Sequence, residues 1–124
     1  MIIKSALAAT ALGLAGIACA TTVVTAAPAS AAIVNEGAIA VSTSTGTIGS
    51  SWNYHSVGDA QIVAVRNCGH ADCTVLTTFT FCGAVAVNRG YWHGGYGTTL
   101  AAAESDAIAG AGGGRIAHYT CNGR

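Results

Sequence analysis

A short apolar motif occurs twice in this chain, and similar residues follow each copy. Gly37-Ala-Ile-Ala-Val41 recurs as Gly83-Ala-Val-Ala-Val87. Aromatic residues come next, then small residues four positions apart, then a closing cysteine, which is Cys82 in the first copy and Cys121 in the second. A period of about forty residues predicts two copies of one small unit that bury a common core by packing on each other. The repeat therefore constrains the architecture and leaves the activity open.

The first 31 residues have the features of an export signal. A positive charge at Lys4 precedes an apolar stretch from Ala6 to Val24, and a small-residue cleavage site follows at Ala29-Ser-Ala31. These are the parts of a secretory signal peptide. A membrane anchor is the alternative, because the stretch approaches the roughly 20 apolar residues that span a bilayer. Its threonines and many alanines make it a weak span, so we expect cleavage after residue 31 or 32.

Cleavage would leave enough chain for one domain. We expect residues 32–36 to form an N-terminal arm and residues 37–124 to form a single duplicated domain, with repeat one at 37–82 and repeat two at 83–121. This part has no lysine, and its four arginines and five acids give a net charge of −1 with neutral histidines. Nucleic acids and anionic membranes draw affinity from basic residues, so we expect neither to be a partner once the signal is removed. A protein or a glycan outside the cell or in its envelope is therefore the expected partner.

Four cysteines remain after the signal, and an even number in an exported chain predicts disulfides. They are Cys68, Cys73, Cys82 and Cys121. Three pairings are possible, and the repeat selects one of them. The second copy has Ala111 and Arg115 near the positions that match Cys68 and Cys73, and joint loss is expected of bonded partners. We therefore predict a Cys68–Cys73 bond, and a Cys82–Cys121 bond that joins the two repeats.

Each repeat has the pattern of strand, strand, helix and strand. β-branched and aromatic residues on either side of Ser44-Thr-Gly46 predict a hairpin, and Ser56 with Asp59 three residues later predicts the start of a helix. The expected elements are strands 38–43 and 47–54, a helix ending at Cys68, strand 74–80, strands 84–87 and 91–96, a helix over 99–109, and strand 115–120. The predicted fold is α+β: a duplicated ββαβ unit with a mainly antiparallel sheet packed with two helices, crosslinked by disulfides.

Several motifs occur together in a way that is typical of one known family. They are the Gly37 motif with its Trp- and Tyr-rich second strand, Ser56-x-x-x-Ala60-x-x-x-Ala64-x-x-x-Cys68-Gly with Cys73 nearby, and Cys82-Gly-Ala-Val-Ala. As a set, from Gly37 to Cys121, they resemble the secreted actinobacterial domain-of-unknown-function family 4189. The family pattern has a cysteine pair in each repeat, whereas this chain has the run Gly110–Gly114, which we interpret as a flexible link. The resemblance implies export and a disulfide-crosslinked duplicated fold, and it supplies no catalytic residues.

Histidines and acids are present, but they show no catalytic or metal-binding pattern. The histidines are His55, His70, His93 and His118. Neither H-E-x-x-H nor G-x-S-x-G occurs, and His70 and Asp72 lie in the short Cys68–Cys73 loop, which suits a solvated turn. A zinc site in that loop would lack the second pair of ligands that structural zinc needs. We expect no enzyme activity, metal or cofactor, and we expect His55 and His93 at strand ends on the surface.

Aromatic residues in the two hairpins are the best candidates for a binding surface. They are Trp52, Tyr54, Tyr91, Trp92 and Tyr96. Tyr and Trp are favoured at interfaces because each has a large apolar face and a polar tip. A core made mostly of Ala, Val and Ile also needs large side chains to fill it, so both roles stay open. Strand alternation predicts Trp52 and Tyr54 on one face and Asn53 on the other.

These observations predict a secreted, non-enzymatic protein that binds a macromolecular partner at or outside the cell envelope. A carbohydrate or cell-wall binding module that stacks Trp and Tyr on sugar rings is the alternative. A small secreted enzyme is a third hypothesis, and the absence of any catalytic motif argues against it.

Overall fold

Two successive strand–strand–helix–strand units make up residues 34–123, the part of the chain that the computed structural model describes. The first unit contains β1 (Glu36–Val41), β2 (Ile48–Tyr54), α1 (Val57–Cys68) and β3 (Thr74–Phe79). The second contains β4 (Cys82–Asn88), β5 (Tyr91–Gly97), α2 (Leu100–Ala111) and β6 (Arg115–Cys121). The expected order of elements is confirmed. The predicted signal peptide, residues 1–31, lies outside the described residues.

The six strands form two three-stranded antiparallel sheets, where one mainly antiparallel sheet was expected. Their orders are β2-β1-β3 and β5-β4-β6, so each copy of the repeated motif is the central strand of its own sheet. A strand covered on both faces is apolar along its length. Both motifs, Gly37–Val41 and Gly83–Val87, meet this requirement. The antiparallel pairing and the two helices confirm the α+β class.

Small and branched residues alternate in the motif because its two faces meet different neighbours. Ala38 and Ala40 pack against α1, whereas Ile39 and Val41 face the second sheet and pack with its Val85. The matching alanines of the second motif pack against α2. The fold therefore has four layers in the order helix, sheet, sheet, helix. Each fully buried Ile or Val side chain contributes about 1.5–3 kcal/mol, so the layer between the sheets is a main source of stability.

Each helix lies close to its sheet because small residues line the contact. The buried helical residues are Ala60, Ala64 and Cys68 in α1 and Ala103, Ala107 and Ala111 in α2. A Cβ atom added to Gly49 of β2 would collide with the Ala64 carbonyl oxygen, and one added to Gly95 of β5 would collide with the Ala107 nitrogen. The strand glycines thus provide the space that the helix backbone occupies.

Both helices begin where their sequences predict, and α1 ends at Cys68 as expected, whereas α2 extends two residues past the predicted 109 to Ala111. Ser56 accepts a hydrogen bond from the Asp59 N–H at 3.1 Å, and Thr99 accepts one from the Ala102 N–H at 3.1 Å. Gly69 and Gly112 adopt the left-handed conformation at the two C-caps. These are the common N-cap and C-cap residues of α-helices.

The glycine run after α2 forms a defined turn, which differs from the flexible link that its composition suggests. Gly110 is still helical, and Gly112, Gly113 and Gly114 have φ values of 78°, 120° and 91°. Residues other than glycine rarely adopt such φ values. A Cβ on Gly114 would also collide with the Val87 carbonyl oxygen. The run is therefore explained by backbone conformation and close contact with β4.

The structure contains both predicted disulfides, and it changes the role of one. Cys68–Cys73 closes the loop between α1 and β3. Cys82–Cys121 joins directly opposed residues of β4 and β6. Both strands belong to the second sheet, so the expectation that this bond joins the two repeats is wrong. Cys82 is the first residue of β4 and belongs to the second unit, although the motif spacing assigned it to the end of the first.

Hydrogen bonds from the C-terminal tail connect the two units, which was the role expected of the Cys82–Cys121 bond. Asn122 follows β6, and its side-chain amide donates to the carbonyl oxygens of Asn35, Phe79 and Thr80 at 2.8–3.2 Å. Its carbonyl oxygen accepts from the Asn53 N–H at 2.7 Å. All four partners belong to the first unit or its ends. Asn122 therefore fastens the end of the second unit to the first.

Candidate functional site

A β-bulge near the end of β2 sets the directions of the candidate aromatic residues. The register pairs Ala38 with Ser51 but Glu36 with Tyr54, so β2 carries one extra residue. Asn53 has a φ of 64°, a left-handed conformation that asparagine tolerates better than most residues. Its N–H bonds to Asn122. A bulge interrupts side-chain alternation, and the prediction that Trp52 and Tyr54 share a face is wrong for this reason.

The two aromatic residues of β2 therefore have different environments. Tyr54 is half-buried and packs against the cluster that includes Ala60 and Ala64 of α1. Trp52 leaves 51% of its surface exposed and belongs to none of the three core clusters. Tyr54 thus fills the core between helix and sheet, while Trp52 is available to a ligand.

A groove lies between β2 and α1 beside these residues. It has a volume of about 400 Å³ and is lined by Ser50, Ser51, Trp52, Asn53, Tyr54, Val63 and Asn67. None of these side chains is charged. Asn67 donates to the Ser50 carbonyl oxygen at 3.0 Å, and Ser51 donates to the Ala60 carbonyl oxygen at 2.6 Å, so helix and strand are tied together. The groove combines an exposed indole with hydroxyl and amide groups on a fixed frame.

The aromatic residues of β5 do not extend this groove into one surface. Trp92 packs into the layer between the sheets, where its ring approaches the turn at Gly46. Tyr91 and Tyr96 are 57% and 66% exposed. Tyr91 stacks on His93 with ring centroids 6.3 Å apart. Trp92 and Tyr54 thus fill the core, whereas Trp52, Tyr91 and Tyr96 are exposed.

The strand registers also correct the match between the two hairpins. Ser51 pairs with Ala38, and Gly95 pairs with Ala84 at the same position of the second motif, so Trp52 corresponds to Tyr96. Ile48 pairs with Val41 as Trp92 pairs with Val87, so Trp92 corresponds to Ile48. Trp52 and Trp92 look alike in sequence, but they occupy different places in the fold.

Asp72 holds the disulfide loop in place. Its carboxylate accepts hydrogen bonds from the hydroxyl groups of Ser42 at 2.6 Å and Ser44 at 2.7 Å. These bonds, with Ser42 the larger cause, lower the pKa of Asp72 to about 2. Within residues 34–123, no hydrogen bond or ion pair joins the Asp72 and His70 side chains. The carboxylate is therefore engaged by the turn between β1 and β2 and is not placed to orient His70.

The other histidines have structural surroundings of different kinds. His55 is exposed after β2, as expected. His93 is half-buried above Gly110, where a Cβ atom would collide with its ring, so the surface position expected for it is wrong. His118 lies between the sheets, with Nε2 3.1 Å from the Ser50 hydroxyl, and partial burial lowers its pKa. Among the described residues, no group of three or more His, Cys, Asp and Glu side chains could hold a metal ion.

Sequence reasoning missed three residues that shape the groove: Val63, Asn67 and Asn122. Val63 and Asn67 precede Ala64 and Cys68 by one residue each, so they repeat the four-residue period of the buried stripe and line the side of α1 next to β2. That period is visible in the sequence and could have identified them. Asn122 fixes the bulge through a contact with Asn53, 69 residues away, and no local signal indicates it.

The described part of the chain is thus a small duplicated α+β domain with two disulfides and an aromatic groove between β2 and α1. The chain belongs to the family described as "Domain of unknown function (DUF4189)", which matches residues 37–121. No helix among residues 34–123 is long and apolar enough to cross a membrane.

Similar proteins occur in Mycobacterium tuberculosis H37Rv. Protein Rv1269c is 51% identical over 86 residues, which are 69% of this chain and 68% of that protein. Uncharacterized protein Rv1813c is 43% identical over 90 residues, which are 73% of this chain and 62% of that protein. The NMR structure of Rv1813c matches with a TM-score of 0.62 and 34% identity, and the match covers 96% of this chain and 97% of that one. These similarities support the family and the fold.

Proposed function

We propose that this protein is an exported, non-enzymatic binding protein that recognises a macromolecular partner, a protein, at or outside the cell envelope. The observation that carries the proposal is the half-exposed indole of Trp52 beside the groove between β2 and α1. Exposed aromatic side chains on a rigid frame are typical of binding hot spots, because little conformational freedom is lost on binding. Export is supported by the N-terminal sequence and by the two disulfides, which persist in oxidising compartments.

Partner capture with matched variants tests this proposal. The mature protein is immobilised and exposed to culture filtrate and to solubilised envelope proteins, and captured proteins are identified and tested again in purified form. We expect Trp52→Ala to weaken binding of the purified partner by about tenfold or more, as for a hot-spot Trp. Tyr96→Ala is the matched control, because Tyr96 is exposed at the equivalent position of the other sheet. Equal affinity of wild type and Trp52→Ala, with both folded, would reject the groove as the binding site.

The groove also supports a second candidate, a carbohydrate or cell-wall binding module. The indole of Trp52 lies beside hydroxyl and amide groups of Ser50, Asn53 and Asn67. An aromatic ring stacks on a sugar ring, and hydroxyl and amide groups bond the sugar hydroxyls. Peptidoglycan sedimentation and a glycan array test this candidate. Saturable glycan binding that Trp52→Ala abolishes would favour a glycan over a protein as the partner. Trp92→Ala is unsuitable for this purpose, because Trp92 belongs to the core between the sheets.

A further inference from the structure

The free edge of β2 has a regular pattern of outward-pointing backbone groups. The Ser42 N–H bonds to the Thr47 carbonyl oxygen at 2.9 Å and sets the phase of the ladder between β1 and β2. In an antiparallel pair, the N–H and C=O of a residue point the same way, and alternate residues point toward and away from the neighbouring strand. Ile48, Ser50 and Trp52 therefore direct these groups away from β1. The bond from Asn67 to the Ser50 carbonyl oxygen agrees with this assignment.

The corresponding edge of β5 is closed by a side chain. Tyr96 corresponds to Trp52, and its N–H also points away from the central strand. Asp106 of α2 accepts a hydrogen bond from this N–H at 3.1 Å. A carboxylate that caps an edge N–H prevents another strand from pairing there.

The Trp52 N–H at the edge of β2 has no such carboxylate cap. The buried alanines of the two helices match Ala60 with Ala103 and Ala64 with Ala107, so Val63 occupies the place of Asp106. Val63 cannot accept a hydrogen bond. Within residues 34–123, no side chain bonds to the Trp52 N–H. The two halves thus share one geometry but differ at one edge N–H. Asp106 bonds to the Tyr96 N–H, whereas no described side chain bonds to the Trp52 N–H, and the neighbouring Ser50 carbonyl oxygen accepts from Asn67.

We propose that the edge of β2 at Ser50 and Trp52 binds an extended, uncharged polypeptide segment as an added strand. This inference rests on the proposed function and names the class of partner. Main-chain pairing at an open edge is the physical basis of strand addition, and grooves for alternate side chains give it specificity. The groove lined by Val63 and Trp52 receives the side chains of the added strand.

The chemistry of the edge favours a peptide over other ligands. The Trp52 N–H, to which no side chain of residues 34–123 bonds, and the outward Ser50 N–H repeat at the two-residue spacing of a strand. This spacing matches the carbonyl groups of another extended chain. β2 has the sequence Ile48-Gly-Ser-Ser-Trp-Asn-Tyr54. It therefore lacks the Lys, Pro and charged residues that commonly protect exposed edges. The uncharged lining of the groove selects against charged peptide side chains.

The second half of the molecule supplies the test substitution. Val63→Asp places the carboxylate of Asp106 at the equivalent position, where it should cap the Trp52 N–H and repel incoming carbonyl groups. Ile62→Asp is the matched control, because it adds the same charge at an adjacent residue that is 56% exposed and lines a different groove. The probe is a library of uncharged heptapeptides displayed on phage, selected on the wild-type protein and followed by the synthetic peptide that emerges.

We expect the selected peptide to bind Val63→Asp about tenfold or more weakly than wild type, since capping removes a hydrogen bond and adds repulsion. Ile62→Asp should bind as wild type does. Hydrogen exchange of the wild-type protein needs no variant, and the Trp52 amide should become protected when peptide is added. Equal binding by all three proteins, an unprotected Trp52 amide, or no selected peptide would overturn the proposal. A protein or glycan that requires Trp52 but binds Val63→Asp normally would overturn strand addition and leave the proposed function intact.

Discussion

His118 and Thr77 occupy equivalent positions in the two halves, and each crosses to the opposite sheet. Thr77 pairs with Ile39, and His118 pairs with Val85, the same position of the second motif. The Thr77 hydroxyl donates to the Gly95 carbonyl oxygen at 3.1 Å, while His118 meets the Ser50 hydroxyl. A polar group taken out of water costs free energy unless it is hydrogen-bonded. Both contacts therefore satisfy the hydrogen-bonding needs of polar atoms in an otherwise apolar layer. Of the two side chains, His118 is the one that titrates.

We expect acid to destabilise the protein through His118. Burial lowers the pKa of His118 below its usual 6.5, so between the two pKa values the unfolded chain binds more protons than the folded one. The free energy of unfolding must then fall as the pH drops below about 6.5. His118→Gln should flatten this slope between pH 7 and 5 in urea titrations, because glutamine does not titrate. Parallel slopes for wild type and His118→Gln would contradict the assignment.

At the scale of the elements, the fit of each helix on its sheet is achieved differently in the two halves. In the first half Gly49 leaves space on the strand, and Asn67 of the helix bonds to the neighbouring Ser50 carbonyl. In the second half His93 occupies the strand position, and Gly110 leaves space on the helix. Large and small residues have exchanged sides across the same contact. Interiors are packed densely, so a change on one side requires a matching change on the other.

Gly49→Ala should be strongly destabilising. The added methyl group would meet backbone atoms at Ala64 and Cys68, which cannot move without shifting the helix. Overpacking of this kind costs about 3 kcal/mol. Gly58→Ala is the control in α1, because a Cβ there meets nothing within 4 Å, and it should stabilise the protein by about 0.5–1 kcal/mol. Urea unfolding of both variants measures the difference. A Gly49→Ala protein as stable as the Gly58→Ala protein would refute the close contact.

At the scale of the whole molecule, covalent and non-covalent links have separate tasks. Cys82–Cys121 holds β4 and β6 within the second sheet, and Cys68–Cys73 holds the loop after α1. The two halves are joined by the shared apolar layer and by Asn122. The duplication therefore produces two crosslinked halves that depend on burial and hydrogen bonds to stay together.

We expect loss of the longer disulfide to be the more damaging. The two bonds span 39 and 5 residues, so the loop-entropy account assigns them about 4 and about 2 kcal/mol. Cys121→Ser should lower the melting temperature more than the double variant Cys68→Ser, Cys73→Ser. Calorimetry of the three proteins, with peptide mapping under non-reducing conditions, measures this. A larger loss in the double variant would show that the loop after α1 contributes more than its length implies.

Local physical rules determined the parts of this protein that the sequence predicts by itself. The helix cap at Ser56, the glycine after Cys68 and the β-branched strands act over a few residues, so the order of elements follows from them. The repeat predicted the duplicated unit and the pairing of the cysteines. The exposed aromatic residues Trp52, Tyr91 and Tyr96 were likewise visible as candidates.

Tertiary structure alone decided the faces, the partners and the open edge. Trp52 points away from the environment of Tyr54 because Asn53 forms a bulge, and that bulge is bonded to Asn122 at the far end of the chain. Division into two sheets placed Cys82 with the second half and buried Trp92 between the layers. The difference between Val63 and Asp106 has meaning only when the two halves are compared in space. Each of these outcomes depends on contacts between residues distant in the chain, and no local pattern in the sequence encodes such contacts.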